Sequence, residues 1–191
     1  DQGLEQMKQV PYQNVKMNLE PGTEPGKSIV ILEVTRAKPW SFGISWDDSG
    51  LTATGKHQGA AHFSVYNPAG LNDVLSVSVT HDTERRDTFG TKNYSFYYSI
   101  PWRKYSFSVS HYYSEYEQEV PALLPYTQQS KNSSWEFGVQ RLLYRDRKSR
   151  TQFIGKILHR HKRNYLNHEE IKVQELQTTA YQIGVNHRHY I

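Results

Sequence analysis

Tyr94-Ser95-Phe96-Tyr97-Tyr98-Ser99-Ile100, a break at Pro101-Trp102-Arg103-Lys104, then Tyr105-Ser106-Phe107-Ser108-Val109-Ser110: this stretch decides the fold. Tyr94, Phe96, Tyr98 and Ile100 fall on one side of an extended chain, and Ser95, Tyr97 and Ser99 on the other. After a tight connection, Tyr105, Phe107 and Val109 repeat the pattern against Ser106, Ser108 and Ser110. A period of two on both sides of a short break is a β-hairpin. The pattern spreads outward in both directions. Trp40, Phe42, Ile44 and Trp46 alternate with Ser41, Gly43, Ser45 and Asp47, and Ala61, Phe63 and Val65 with His62, Ser64 and Tyr66. Leu75, Val77 and Val79 alternate with Ser76, Ser78 and Thr80. Less regular strands are expected near Trp135 to Tyr144, Thr151 to Arg160 and Thr178 to His189. Eight strands after Lys38 leave no room for long helices.

Such alternation fits two architectures. A soluble sandwich hides its apolar rows between two layers and shows long charged side chains outside. A membrane barrel turns the apolar rows to lipid and a polar face to a wet lumen. Here the second face is largely Ser and Gly, with few long charges in mid-strand. Trp40, Trp46, Tyr66, Tyr94, Trp102, Tyr105 and Tyr112 sit near strand ends, where an interfacial aromatic belt belongs. Both facts favour the barrel. Loop lengths add to them: long polar stretches at Asp47–Gln58, His81–Asn93, Glu115–Ser133 and His161–Gln177 alternate with short ones at Asn67–Asp73, Pro101–Lys104 and Tyr144–Arg150. All long connections therefore fall on one rim, as in outer-membrane barrels, and the chain enters from the periplasmic side.

Composition closes other routes. The chain has 191 residues, 25 of them Trp, Tyr or Phe (4, 14 and 7), a formal charge of +4 and no Cys. A disulfide scaffold, thiolate metal sites and a cysteine nucleophile are excluded. No apolar run approaches the length of a membrane helix, which says nothing against strands. The weak positive balance does not call for nucleic acid. The first residues, Leu4-Glu5-Gln6-Met7-Lys8-Gln9, suggest a short helix that stops before Pro11. Asn14 to Leu19 then reads as a half-buried strand with Val15, Met17 and Leu19 on one side, and Ser28 to Ala37 as a second strand, with a Pro/Gly turn cluster between.

These residues also resemble a known family. Asn14-Val15-Lys16-Met17-Asn18-Leu19-Glu20-Pro21-Gly22 and Glu24-Pro25-Gly26-Lys27-Ser28 look like the end of a POTRA domain. Lys38-Pro39-Trp40, Asp47-Asp48-Ser49-Gly50 and Asn67-Pro68-Ala69-Gly70-Leu71-Asn72-Asp73 resemble the start of the barrel in two-partner secretion transporters, the haemolysin activator or secretion proteins. Tyr98-Ser99-Ile100-Pro101-Trp102, Arg163-Asn164-Tyr165-Leu166 and Asn186-His187-Arg188-His189-Tyr190 continue the likeness. The resemblance implies an all-β chain: residues 1–37 the end of a second POTRA domain, of α+β type, and 38–191 the N-terminal half, about eight strands, of an antiparallel transmembrane barrel. It implies a place in the outer membrane of a Gram-negative bacterium, with the N-terminal part periplasmic. The implied task is secretion of an exoprotein such as a haemolysin, adhesin or contact-dependent inhibition toxin. Neither chemistry on substrate nor a cofactor is expected. The lumen loop with its Val-Arg-Gly motif does not occur, so the chain reads as a half-transporter whose closure needs the missing half or an oligomer. The alternatives from the residues alone are a soluble all-β binding module, with its Trp and Tyr directed at carbohydrate, and a non-functional remnant.

Other constellations carry less. His159-x-His161 and His187-x-His189 each place two imidazoles on one face of a strand, but no third ligand stands at motif spacing. Asp47-Asp48 and Glu117/Glu119 lie in polar stretches, and neither a nucleophile elbow nor a phosphate loop appears. The basic stretches Tyr144–Arg150 and His159–Arg163 offer charge to RNA, but a periplasmic turn near anionic head groups or a polar lumen lining accounts for them better given the weak net charge. One binding hypothesis rises to residue level. Asn14, Val15, Lys16, Met17, Asn18 and Leu19 form a strand whose backbone edge is able to capture the exoprotein by strand addition. Their apolar side chains are expected to face the domain's own helices.

Overall fold

The structure is a computed structural model that describes residues 13–23, 27–84, 90–146 and 148–189. The helix expected within Leu4–Gln9 lies outside these residues. An antiparallel hairpin of β1 (Gln13–Pro21) and β2 (Ser28–Arg36) forms a sheet of its own. Its register sets Val15 opposite Val34, Met17 opposite Leu32 and Leu19 opposite Val30, so these six apolar residues share one face, while Ile29 and Ile31 lie on the other. Only Val15 of this face is buried.

The second sheet is antiparallel and nine-stranded. It runs from β3 (Trp40–Asp47) through β4 (Gln58–Tyr66), β5 (Val74–Asp82), β6 (Gly90–Trp102), β7 (Tyr105–Val120) and β8 (Tyr126–Arg145) to β9 (Ser149–Leu166). Each of these pairs with its successor in sequence. Beyond β9 come the two-residue β10 (Glu169–Glu170), a 3₁₀ turn (Lys172–Gln174) and β11 (Leu176–His189), and both β10 and β11 pair with β9. Among the described residues there is no α-helix, and the outer edges of β3 and β11 have no partner strand.

One hydrogen-bonded row crosses the sheet from Phe42 through Phe63, Val77, Phe96, His111 and Trp135 to His159. Phe42 lies two residues from the short-turn end of its strand at Trp40, and His159 lies ten from the corresponding end at Ser149. The row thus climbs eight residues over six strand steps, or about 4.4 Å along the strand for each ~4.8 Å across, which is a tilt of about 40° and inside the range of closed barrels.

The same register separates two faces. One carries Phe42, Ile44, Phe63, Val77, Phe137 and Ile183; the other carries Ser41, Ser64, Ser76, Ser78 and Ser95. Among the described residues no second layer covers the apolar face. Ile44, Trp46 and Ile183 are 75%, 68% and 77% exposed, and Val15 is the one buried apolar residue among those described. A sandwich would interlock these rows in a dry interior, so the soluble two-layer alternative does not describe this molecule. The apolar surface is satisfied only in an apolar medium.

Two of the expected long connections are strands instead. Glu115–Ser133 extends β7 and β8 to 16 and 20 residues and leaves a five-residue tip, 121–125, between them. His161 to Leu166 likewise belongs to β9. Both segments are polar on both faces, so they lack the apolar alternation that marks the lower strands, yet their backbones pair as completely.

Candidate functional site

The functional surface is the two-faced wall with its rims. On the outer face, aromatic residues bound the apolar band. At the short-turn rim, Lys38 Nζ lies 5.0 Å from the Trp40 ring, Arg103 5.7 Å from Trp102 and Arg141 5.4 Å from Tyr105. Cations that stack on interfacial rings keep their charge in water while their stems cover apolar surface. At the opposite boundary stand the Tyr94–Tyr113 pair, with centroids 6.1 Å apart, and the Trp46–His57 stack at 5.3 Å. From Tyr105 to Tyr113 the band measures about 20 Å along the normal at a ~3.3 Å rise and 40° tilt, the thickness that a tilted membrane strand spans.

The inner face is lined by small hydroxyls that bond one another across strands, Ser64 to Ser76 at 2.8 Å and Ser78 to Ser95 at 2.6 Å. Gly43 belongs here because the His62 ring lies over it and leaves no space for a Cβ. Charge appears further along: Lys156 Nζ binds Glu136 at 2.8 Å, and Arg160 and Lys162 follow on the same face of β9. With Tyr112, Tyr116, Asn132 and Thr178 they line a cavity of about 570 Å³.

Both rims are pinned. At the short-turn rim Asp73 is fully buried, and its carboxylate accepts from the amides of Ala69 and Leu71 and from the Tyr98 hydroxyl at 3.0 Å. At the other rim the 48–57 loop folds back on the strand ends. Thr91 donates its amide to Asp82 and its hydroxyl to the Thr54 carbonyl, Gln58 Nε2 reaches the Gly55 carbonyl at 2.8 Å, and Glu84 accepts the amides of Lys56 and His57. Gly55 has φ +101° against Asp82, a position closed to larger residues.

The residues singled out in the sequence fall as follows. Asn14 to Leu19 all lie in β1, paired with Thr35 back to Val30, and the other edge of β1 has no partner among the described residues. Neither histidine pair gathers a metal-binding set among the described residues. His159 Nδ1 contacts Thr179 Oγ1 at 3.0 Å, His161 Nε2 contacts Glu175 at 2.7 Å and His187 Nδ1 contacts Thr151 Oγ1 at 2.8 Å. Among the described residues no group of three metal-ligating side chains forms. His159 and His161 share the outer face with Trp135, not the lumen. Asp47 caps Ser49, and Glu117 meets Gln129 and His168. In the basic turn Asp146 collects the Tyr144 hydroxyl, the Lys148 amide, and the Ser149 hydroxyl and amide. The Tyr144 hydroxyl, then these other donors, hold its carboxyl down at about 2. Sequence reasoning missed the anchors Asp73 and Asp82, while Arg160 and Lys162 lie in the basic stretch His159–Arg163, for which a polar lumen lining was one expectation. The only signal for Asp73 was its place at the end of Asn67-Pro68-Ala69-Gly70-Leu71-Asn72.

A single antiparallel sheet, apolar and aromatic-belted outside, hydroxyl-lined inside, with short turns along one rim, has the fold of an outer-membrane β-barrel wall. Residues 26–191 match the family described as Haemolysin secretion/activation protein ShlB/FhaC/HecB, and the chain belongs to that family. It is 38% identical over 192 residues to outer membrane transporter CdiB-2 of Burkholderia pseudomallei, covering 100% of this chain and 33% of that protein. It is 28% identical over 189 residues to hemolysin transporter protein HpmB of Proteus mirabilis, covering 98% of this chain and 34% of that protein. The fold matches CdiB from Escherichia coli with a TM-score of 0.91 at 24% identity, over 100% of this chain and 36% of that one. It matches CdiB from Acinetobacter baumannii with a TM-score of 0.85 at 30% identity, over 100% and 37%. The chain therefore spans about a third of the length of the curated relatives it matches. Its place is the outer membrane of a Gram-negative bacterium.

Proposed function

We propose that this chain supplies part of the wall of a two-partner secretion transporter and that the transporter passes an unfolded exoprotein across the outer membrane. Residues 1–37 are then the end of a POTRA domain and 38–191 the N-terminal half of the transmembrane barrel. The exoprotein is a haemolysin, adhesin or contact-dependent inhibition toxin. The observation that carries the reading is the wall itself: an exposed apolar band about 20 Å high backed by a face of paired serines. The unpartnered edges of β3 and β11 fit a sheet completed by further strands, since open edges in lipid cost several kcal/mol per unsatisfied group.

Capture of the exoprotein falls to β1. Residues of one parity in an antiparallel strand aim both backbone groups at the partner, and residues of the other parity aim them outward. Single Pro substitutions at Lys16, Met17 and Asn18, made in a full-length transporter, test this. Secretion of the exoprotein into the medium is expected to fail at the parity facing away from β2 while the barrel still inserts. Secretion unchanged at both parities sinks the capture role. Loss of secretion only where insertion is also lost does the same.

A further inference from the structure

We propose that the inner face of β8, β9 and β11 is a cationic track that receives the carboxylates of an extended polypeptide; the choice of a polypeptide rests on the secretion reading above. The inner faces of β3 to β6 carry no Lys or Arg; they are mostly small uncharged side chains, with Asp47 and Asp82 at the long-loop ends of β3 and β5. Across β8, β9 and β11 the same face carries Arg150, Lys156, Arg160, Lys162 and Arg188, and Glu136 is the one carboxylate set among them in the described residues. Glu136 is taken by Lys156 at 2.8 Å. Arg160 and Lys162 are both exposed, and no carboxylate lies within ion-pair distance of either among the described residues.

The geometry selects an extended peptide. Arg160 and Lys162 are alternate residues of one strand, so their side chains emerge about 6.7 Å apart, the spacing of alternate side chains on any extended chain laid along β9. Around them stand uncharged groups that donate and accept: Asn132 opposite Lys162, and Ser134 and Thr178 opposite Arg160. Tyr112 and Tyr116 complete the cavity with flat rings. A peptide backbone finds hydrogen-bonding partners here at each step, and its acidic side chains meet two cations that no described carboxylate occupies. A wet, widely spaced site of this kind binds weakly and reversibly, as a passing chain requires.

The test uses a full-length transporter that contains this chain, in detergent micelles, with three labelled ten-residue probes that alternate Ser with Glu, Gln or Lys, read by fluorescence anisotropy. The Glu probe is expected to bind, and its affinity to fall about tenfold between roughly 50 and 300 mM NaCl. R160Q/K162Q is expected to weaken it about tenfold, and R160K/K162R to leave it within about threefold, with heat-modifiable gel mobility as the check on folding. Equal binding of the Gln probe, no loss in R160Q/K162Q, or full displacement by about 10 mM inorganic phosphate each overturns the track. The probes need no export, so secretion that fails while the Glu probe still binds counts against the transport reading and leaves the track standing.

Discussion

Strands β3 to β5 and strands β7 to β9 belong to one sheet but are built on different terms. The first three have 8, 9 and 9 residues, just enough to cross a hydrocarbon layer at a tilt. The others have 16, 20 and 18 and run on past the aromatic boundary. The short strands depend on lipid against Phe42, Phe63 and Val77. The upper part of the long strands depends on side chains of the protein itself: Tyr113 and Gln129 both bond Glu115, at 2.8 and 2.7 Å, and Gln118 bonds Gln128 at 3.2 Å. Membrane solvation and polar pairing thus divide the sheet by height, and each is open to separate perturbation.

The largest effect is expected from charge in the lipid band. Phe137→Arg, opposite Val109 and Ile157, should destabilise the sheet by about 2–4 kcal/mol, while Thr127→Arg on the protruding part of the same strand should cost less than about 1. Urea unfolding in lipid vesicles reads both; equal costs would erase the division by height. Next comes the short-turn rim. Asp73→Ala strands two amides and a tyrosine hydroxyl and should cost about 1–3 kcal/mol, with Tyr98→Phe well below it. A smaller effect, about 1 kcal/mol, is expected for Gly43→Ala, because the His62 ring must yield to the new methyl; adding His62→Ala should restore most of it in a double-mutant cycle.

The smallest effect is a pH dependence. Asp146 has its carboxyl held at about 2 by the Tyr144 hydroxyl and the turn's other donors. A carboxyl lower in the folded than in the unfolded state adds stability that is whole above about pH 4 and fades as pH falls toward about 2. The group is fully exposed, so solvent screens the effect. Following the proteolytic cutting of the 144–150 turn down that pH range should show protection lost in the native chain and a flat profile in Asp146→Asn.

The lower sheet was legible in the sequence because water, lipid and a period of two act on it together. Trp40 to Trp46 and Tyr105 to Val109 announce their strands and their outer face. The upper parts of β7 to β9 were not legible. Glu115, Glu117 and Glu119 alternate with Tyr116 and Gln118, polar on both sides, so no contrast betrays a strand that the backbone ladder nonetheless continues. For the candidate site, Asn14 to Leu19 were readable as a strand, since Val15, Met17 and Leu19 alternate. The inward aim of Arg160 and Lys162 needed the register with Ser134 and Asn132, which no single strand carries. His159 shows the same gap: its neighbour Trp135, on the next strand, is what sets it on the outside.

Strand β11 has a consequence for handling the protein. From Leu176 to Asn186 it carries no formal charge, its far edge is bare, and Tyr181, Ile183 and Val185 stand open. Among the described residues this is an uncharged strand edge, the kind of border on which another copy's strand is able to add. Refolding of this chain therefore calls for detergent from the first moment, so that Tyr181, Ile183 and Val185 meet an apolar medium before they meet another copy.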